Sequence, residues 1–513
     1  MRTLKPTITA TATATIAAAA TVAAISALQP FSPSAFCSDA PRPDTTKPNI
    51  ILILVDDMGY GDIQPFGSVK NRTPNLNRMA SEGLKLTSFY AAPVCTPSRA
   101  QFMTGCYAKR VSLGHGVLFP ASATGLNPKE HTVADLLRAQ GYTTMAVGKW
   151  HLGDQPPFLP TAHGFDNYFG LPYSNDMDRP ANAGAKSPRP PLPLMRDDKP
   201  IEVITPEKQD YLEQRYTDAA VKFIRAHAGD SRPFFLYLAH TAVHLPLHPG
   251  PDFRGKSANG AYGDWVEEVD WSTGRVLDTL RELKLTDNTL VIFTSDNGPR
   301  VGVAGPLRGM KGSTLEGGMR EPTIAWWPGK VPAGASTDVV TGGIDILPTF
   351  VALAGGAVPA DNKIDGVDIT PILLGKATQT TREAHYYFST ATLGLDAVRV
   401  GPWKLTLAAK PAGKNTKSAK TGAKSAPNSK FAPVLYNLDD DIGESRDVAA
   451  AHPDIVKRLQ ALADAMDKDL GAKTAAGPGV RPAGHVEHPV GQWLPGQKPS
   501  KTVIAAYYDT GEE

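Results

Sequence analysis

From Asn49 onward the chain alternates short apolar runs with longer segments whose apolar residues recur every three or four positions. The runs are Ile50 to Val55, Thr143 to Val147, Phe234 to Ala239, Leu290 to Thr294 and Pro322 to Trp326. Each is nearly continuous rather than alternating, the pattern of strands covered on both faces in a parallel sheet. Between them His131 to Gln140, Tyr211 to His227 and Trp265 to Leu283 read as amphipathic helices; the last carries Val266, Val269, Val276, Leu277 and Leu280. Strand and helix in turn predict a doubly wound α/β domain. After about residue 375 the runs become short and alternating: Ala384 to Phe388, Ala397 to Val400, Lys404 to Leu407 and Val434 to Leu438. These predict a small antiparallel sheet. Pro453 to Leu470 places Ile455, Leu459, Leu462 and Met466 at helical spacing, with Pro453 tolerated in the first turn, and is expected to pack on that sheet.

The expected organisation is a leader with its flank at 1–40, a catalytic α/β domain at 45–375, a smaller C-terminal α+β subdomain at 376–472 and a Gly/Pro-rich tail at 473–513. Two stretches read as irregular surface loops: Arg179 to Pro200, rich in proline, and Ala408 to Lys430, where lysines recur among Gly, Ser and Ala. The lysine-rich loop at 408–430 reads first as a solvated hairpin tip rather than a polyanion site.

Composition narrows the picture. Fifty-three basic residues against fifty-one acidic ones leave a formal charge of +2, which gives no reason to expect a nucleic-acid or membrane-surface partner. Arg2 and Lys5 precede an acid-free run of Ala, Thr, Ile and Val that resembles a signal peptide, so export to a periplasmic or extracellular space is expected, with no stable membrane span. Three cysteines, Cys37, Cys95 and Cys106, are too few for a disulfide scaffold.

In a doubly wound sheet the chemistry lies beyond the carboxyl ends of the strands. Asp56 and Asp57 follow the first strand, Lys149 and His151 the second, His240 and His244 the third, and Asp296 and Asn297 the fourth. Asp56, Asp57, Asp296 and Asn297 offer only oxygen donors, which suits calcium or magnesium better than zinc. Taken singly, Asp-Asp after a strand also caps helices and Asn-Gly also forms turns; their joint occurrence at strand ends favours metal binding. Cys95-Thr96-Pro97-Ser98-Arg99 opens a predicted helix over Thr96 to Met103, which puts Cys95 at the amino end, where free amides and the helix dipole favour an anion.

Cys-x-Pro-x-Arg resembles the signature of the type I sulfatases, whose cysteine is oxidised to formylglycine after translation. The resemblance continues in Thr104-Gly105, in Gly148-Lys149-Trp150-His151-Leu152-Gly153 and in the run Gly309 to Pro322, and it covers nearly everything from Asn49 to about Leu470. Tyr173 to Met177 and Leu435 to Leu438 are similar to arylsulfatase A-like members. The resemblance implies an alkaline-phosphatase-like mixed sheet flanked by helices. It also implies a calcium ion, more than magnesium, held by Asp56, Asp57, Asp296 and Asn297 with the formylglycine at Cys95 completing the shell. Hydrated formylglycine would attack sulfur through one hydroxyl, and the other would expel the covalent sulfate by elimination. Arg99, at i+4 from Cys95, would hold the hydroxyls; Lys149, His151 and Lys311 would bind sulfate or support the nucleophile, with His151 taking the second hydroxyl's proton. His244, together with Lys311, is the general-acid candidate for the leaving group. The implied partners are a sulfated small molecule or sulfated glycan as substrate and a formylglycine-generating enzyme for maturation.

His240, His115 and Arg300 have no comparable motif and stand only as candidate substrate contacts. Cys106 departs from the family, which commonly has arginine after Thr-Gly, and leaves open a disulfide with unmodified Cys95. Two other readings stand beside the sulfatase: a phosphodiesterase or phosphonate monoester hydrolase of the same superfamily, and an inactive glycan-binding relative. Position 95 is not Ser or Thr and the metal positions are not histidine-rich, which weighs against the first; Cys95, Arg99, Lys149, His151 and Asp296 are all present, which weighs against the second.

Overall fold

A computed structural model describes residues 47–178, 190–407 and 432–496. The expected leader and the lysine-rich loop lie outside the described residues. At the centre is an 11-stranded mixed sheet. Its order from edge to edge is Ala335–Thr337, Leu84–Tyr90, Arg320–Trp326, Thr289–Ser295, Asn49–Val55, Phe234–Ala239, Thr143–Gly148, Asn167–Gly170, Pro193–Arg196 and Lys199–Val203, with Thr341–Gly342 also beside Leu84–Tyr90. The run from Thr289–Ser295 to Asn167–Gly170 is parallel throughout.

All seven residues of Asn49–Val55 are buried. Ile50, Leu52 and Leu54 enter one apolar cluster and Ile51, Ile53 and Val55 another, because successive side chains of a strand face opposite sides. A strand covered on both faces has no polar side, which is why its sequence does not alternate. The Leu212–His227 and Gly260–Glu282 helices cover one face with Tyr216, Ala220, Ile224, Val266, Val269, Val276 and Leu277. The other face is closed by residues of Cys95–Thr104, Val133–Ala139 and Ile346–Leu353.

Three features differ from the expectation. Arg320–Trp326 is fully buried like its neighbours but runs antiparallel to both of them, and burial pattern alone does not encode direction. Of the stretch Arg179 to Pro200 read as irregular, 179–189 lie outside the described residues, and at its end Pro193–Arg196 pairs with Lys199–Val203 as an antiparallel edge hairpin. Proline is tolerated there because an edge strand need not donate every N–H. The Gly/Pro-rich tail, whose sequence carries little signal, is a strap as far as residue 496. Arg481 reaches Glu130 at 2.7 Å, Gly484–His485 pairs with Thr124–Gly125, and Val490 exchanges hydrogen bonds with Gln155 at 2.8 and 2.9 Å.

The C-terminal sheet, ordered His385–Phe388, Leu395–Val400, Trp403–Thr406 and Val434–Asn437, is antiparallel throughout. Helix Pro453–Leu470 lays Leu459 and Ala463 on it, with Ile455, Leu462 and Met466 at the margin. What fastens this sheet to the large one is a buried charge cluster around Glu316. Tyr90 donates to Glu316, as does Tyr387 at 3.0 Å, while Lys404 stands 3.0 Å, Arg320 3.4 Å and Arg399 3.6 Å away. Lys404 also lies 2.8 Å from Glu444, which accepts the Glu316 N–H at 2.8 Å. Burial alone would push the Glu316 carboxyl up, but Lys404, Arg399 and Arg320 hold it far below the usual carboxylate range.

Removing this one anion leaves buried cations uncompensated, so Glu316→Gln is expected to cost about 3–5 kcal/mol in urea unfolding at pH 7. The folded-state value is depressed, so the contribution is complete above the unfolded value of about 4.3 and is lost as pH falls through the folded value. The two proteins should therefore differ most at neutral pH and converge only in strong acid; an unchanged gap down to the acid limit would exclude the assignment.

Candidate active site

Register brings the chemistry together. Val55 pairs with Ser295 and Gly148 with Ala239, so Asp56-Asp57, Asp296-Asn297, Lys149 and the turn after Ala239 emerge side by side at one end of the parallel strands. Gly148 is at φ +97°, and a Cβ there would lie 1.8 Å from the Ala239 carbonyl oxygen, so only glycine lets the chain leave the strand this close to its neighbour. Asp57 and His151 are held in the left-handed region at φ +60° and +62°. For non-glycine residues this costs on the order of 1–3 kcal/mol each, and the surrounding packing sustains it.

Cys95 heads the Cys95–Thr104 helix, every residue of which is buried. Its thiol donates to Asp56 Oδ1 at 3.2 Å and accepts from the Lys311 ammonium at 3.4 Å. Lys311 also donates to Asp57 Oδ1 at 2.6 Å, and Lys149 donates to Asp56 Oδ2 and, at 3.2 Å, to Ser174 Oγ. His244 Nε2 lies 3.8 Å from Asp57 Oδ2. The structure thus gathers Cys95, Asp56, Asp57, Lys149, Lys311 and His244 in one cluster. Arg99, whose charge also acts on Cys95, makes its hydrogen bonds elsewhere. Its guanidinium grips Asp296 Oδ2 through Nε at 3.0 Å and Nη2 at 2.9 Å, and donates to the Lys149 carbonyl at 2.6 Å.

The ring nitrogens of the two histidines can be assigned from their neighbours. His151 Nε2 is 2.9 Å from the Leu118 carbonyl oxygen, which only an N–H can satisfy, so Nδ1 carries the lone pair; Nδ1 is buried and has no protein partner. Burial, reinforced by Lys149 and Arg99, pushes the His151 pKa well down and keeps the ring neutral. His244 Nδ1 is 2.6 Å from the Leu245 carbonyl oxygen, which leaves Nε2 facing Asp57. Burial, then Asp296 and Asp56, raise the Cys95 thiol well above its ordinary value, so an unmodified Cys95 stays protonated and is a poor nucleophile at neutral pH. Asp56 is held low by Lys149, His244, Arg99 and Lys311 against the opposing effect of burial, whereas burial and Asp56 push Asp296 up to about 6.

The residues present could hold a metal ion. Side-chain ligand atoms of Asp56, Asp57, Cys95 and His244 all lie within 4.8 Å of one another. Asn297 donates to Asp57 Oδ1 at 2.7 Å while its own Oδ1, buried, has no protein partner, leaving a spare acceptor beside the carboxylates. Asp296 Oδ1 accepts the Asp57 N–H at 3.2 Å.

Some expectations fall elsewhere. His240, a candidate substrate contact, is fully buried against Glu213. Cys95 and Cys106 are both free; Cys106 Sγ lies 3.3 Å from Arg481 Nη2, so the strap brings a guanidinium to the place where the family carries arginine. Ser174 and the Leu118 carbonyl escaped the sequence reading. Ser174 lay inside a quoted segment without a chemical signal, and a backbone carbonyl has none.

The described sulfatase profile matches residues 48–357, and a profile for the C-terminal region of aryl-sulfatase matches residues 380–478. The chain is 37% identical to arylsulfatase A of Homo sapiens over 459 residues, covering 84% of this chain and 90% of that one. It is 41% identical to N-acetylgalactosamine-6-sulfatase of Canis lupus familiaris over 389 residues, covering 71% and 72%. A solved structure of a sulfatase, PsFucS1 from Pseudoalteromonas sp., aligns with a TM-score of 0.71 at 30% identity, covering 82% of this chain and 90% of that one. On the strength of these matches and the cluster around Cys95, the chain belongs to the sulfatase family and is a sulfuric ester hydrolase.

Proposed function

We propose that this protein, exported on the leader that begins with Arg2 and Lys5, cleaves aryl sulfates or sulfated carbohydrates through a formylglycine made from Cys95 by a formylglycine-generating enzyme. The observation that carries the reading is the convergence of two lysine ammoniums and two carboxylates on Cys95 at a helix amino end. Formylglycine supplies a geminal diol, one hydroxyl to attack sulfur and one to release sulfate, and calcium supplies fixed positive charge to the sulfuryl oxygens. Asp56, Asp57, Asp296 and Asn297 would hold the ion, with position 95 completing the shell.

Lys149 and Lys311 present ammoniums to the sulfuryl oxygens, where charge builds in the transition state. Arg99 keeps Asp296 and the Lys149 peptide in place through its three hydrogen bonds. His151 accepts a proton at Nδ1, the nitrogen that Leu118 leaves free. Lys311, as an ammonium, and His244, as an imidazolium whose second proton sits on Nε2, protonate the departing oxygen; burial lowers the His244 pKa, and Asp56 and Asp57 oppose that by favouring the charged ring. Leu245 and Met310 are exposed next to His244 and Lys311, and Val301 and Val303 are exposed after Asn297, which supports a leaving group that offers an apolar ring face.

Cys95→Ala and Lys311→Ala are each expected to lower kcat by at least about 10³-fold, with thermal unfolding close to wild type in Cys95→Ala and lowered in Lys311→Ala, which leaves Asp57 short of a partner. The measurement is sulfate release from an aryl sulfate by protein co-produced with a formylglycine-generating enzyme; near-wild-type turnover in either variant would mean the site is misassigned. Removing calcium by chelation should abolish turnover and re-addition should restore it. Calorimetry should show calcium binding to wild type that is weakened at least about tenfold in Asn297→Ala, and equal binding in both would remove Asn297 from the ligand set.

A further inference from the structure

A second buried network lies behind the catalytic cluster. Glu213, in Leu212–His227, accepts the backbone N–H groups of Thr241 at 3.0 Å and Ala242 at 2.8 Å on one oxygen and pairs with His240 Nδ1 through the other. His240 Nε2 is 3.3 Å from Ser272 Oγ, which is 2.6 Å from Thr217 Oγ1. Serine, histidine and carboxylate are aligned as in a hydrolytic triad, but Glu213 is 1% exposed and His240 and Ser272 not at all, so no substrate reaches them.

What the network holds is the turn that carries His244. That turn leaves the sheet after Ala239, so the Thr241 and Ala242 N–H groups have no strand partner, and buried donors need an acceptor. Glu213 satisfies both, and a carboxylate does so through charge-assisted bonds. The other edge of the turn is stitched to the metal-site backbone: Asp56 N–H donates to the Ala242 carbonyl at 2.8 Å, and Val243 N–H donates to the Asp56 carbonyl at 2.7 Å. His244 N–H closes the turn on the Thr241 carbonyl at 3.2 Å. We propose that Glu213, with His240 behind it, is the positioning residue that fixes the His244 imidazole at the leaving-group side of the site. The proposal rests on reading His244 as a general acid.

A general acid matters most when the departing oxygen is basic, so its misplacement slows poor leaving groups selectively, whereas general loosening of the site slows all esters alike. The test compares kcat and KM for para-nitrophenyl sulfate and unsubstituted phenyl sulfate in wild type, Glu213→Gln, Glu213→Ala, His244→Ala and the Glu213→Ala/His244→Ala double variant, all co-produced with a formylglycine-generating enzyme. Glu213→Ala should lower kcat about 100-fold on phenyl sulfate and no more than about fivefold on the nitrophenyl ester, with KM little changed. Glu213→Gln keeps an amide oxygen for both N–H groups and should stay within about threefold of wild type. In the His244→Ala background Glu213→Ala should add nothing, because the two act as one unit. Equal slowing of both esters by Glu213→Ala, or multiplying effects in the double variant, overturns the proposal. If His244→Ala itself shows no leaving-group dependence, the general-acid reading fails and the proposal fails with it. Should Glu213→Ala not fold, Glu213→Asp replaces it: retracting the carboxylate by one methylene should give the same selective loss.

Discussion

The structure is organised around the cost of holding charge in a dry place. Asp56, Asp57 and Asp296 stand opposite Arg99, Lys149 and Lys311 at the end of the parallel strands, three formal negatives against three positives, nearly all out of contact with solvent. At an effective dielectric of about 20, each close pair is worth roughly 4 kcal/mol, and leaving one member unpaired costs about as much. The arrangement is therefore tolerable only with every group in place, which makes the strand register, the glycine exit at Gly148 and the strained backbone at Asp57 and His151 parts of one requirement. Because the protein's own charges already balance, a divalent cation would make the site net positive, the sign that suits a sulfate ester.

The same logic extends outward. Glu316 sits five residues after Lys311 and gathers Tyr90 from the large sheet with Tyr387, Arg399 and Lys404 from the small one. Lys404 also accounts for the Thr314 carbonyl at 3.0 Å, so the small sheet braces the loop that delivers Lys311. On the opposite flank, Asp154 accepts the Ala121 N–H at 2.7 Å and the strap bonds to Gln155, which supports the loop whose Leu118 carbonyl sets the His151 ring. The C-terminal third thus braces the segments that carry Lys311 and His151.

Local periodicity was enough for much of the fold. Phe234–Ala239 and Pro453–Leu470 have the bounds their patterns predict, and the other predicted strands and helices of the core differ by a few residues, whereas Leu84–Tyr90 and Asn167–Gly170 were not predicted. The edge hairpin at Pro193–Arg196 and Lys199–Val203 was hidden because its prolines and short length mimic a loop, and the strap because its pairing partner is about 360 residues away in sequence.

For the site, the sequence by itself determined which residue types stand at strand ends and, through Cys95 to Arg99 and the run around Lys311, which family they belong to, because these depend on neighbours in the chain. Tertiary structure decided what each group faces. Arg99 was given Asp296 as its hydrogen-bond partner, His151 was left with a free Nδ1, and His240 was drawn into the core by Glu213. Those outcomes depend on contacts between residues up to about two hundred positions apart, set by register and by the requirement that every buried charge and donor find a partner, and no local pattern records them.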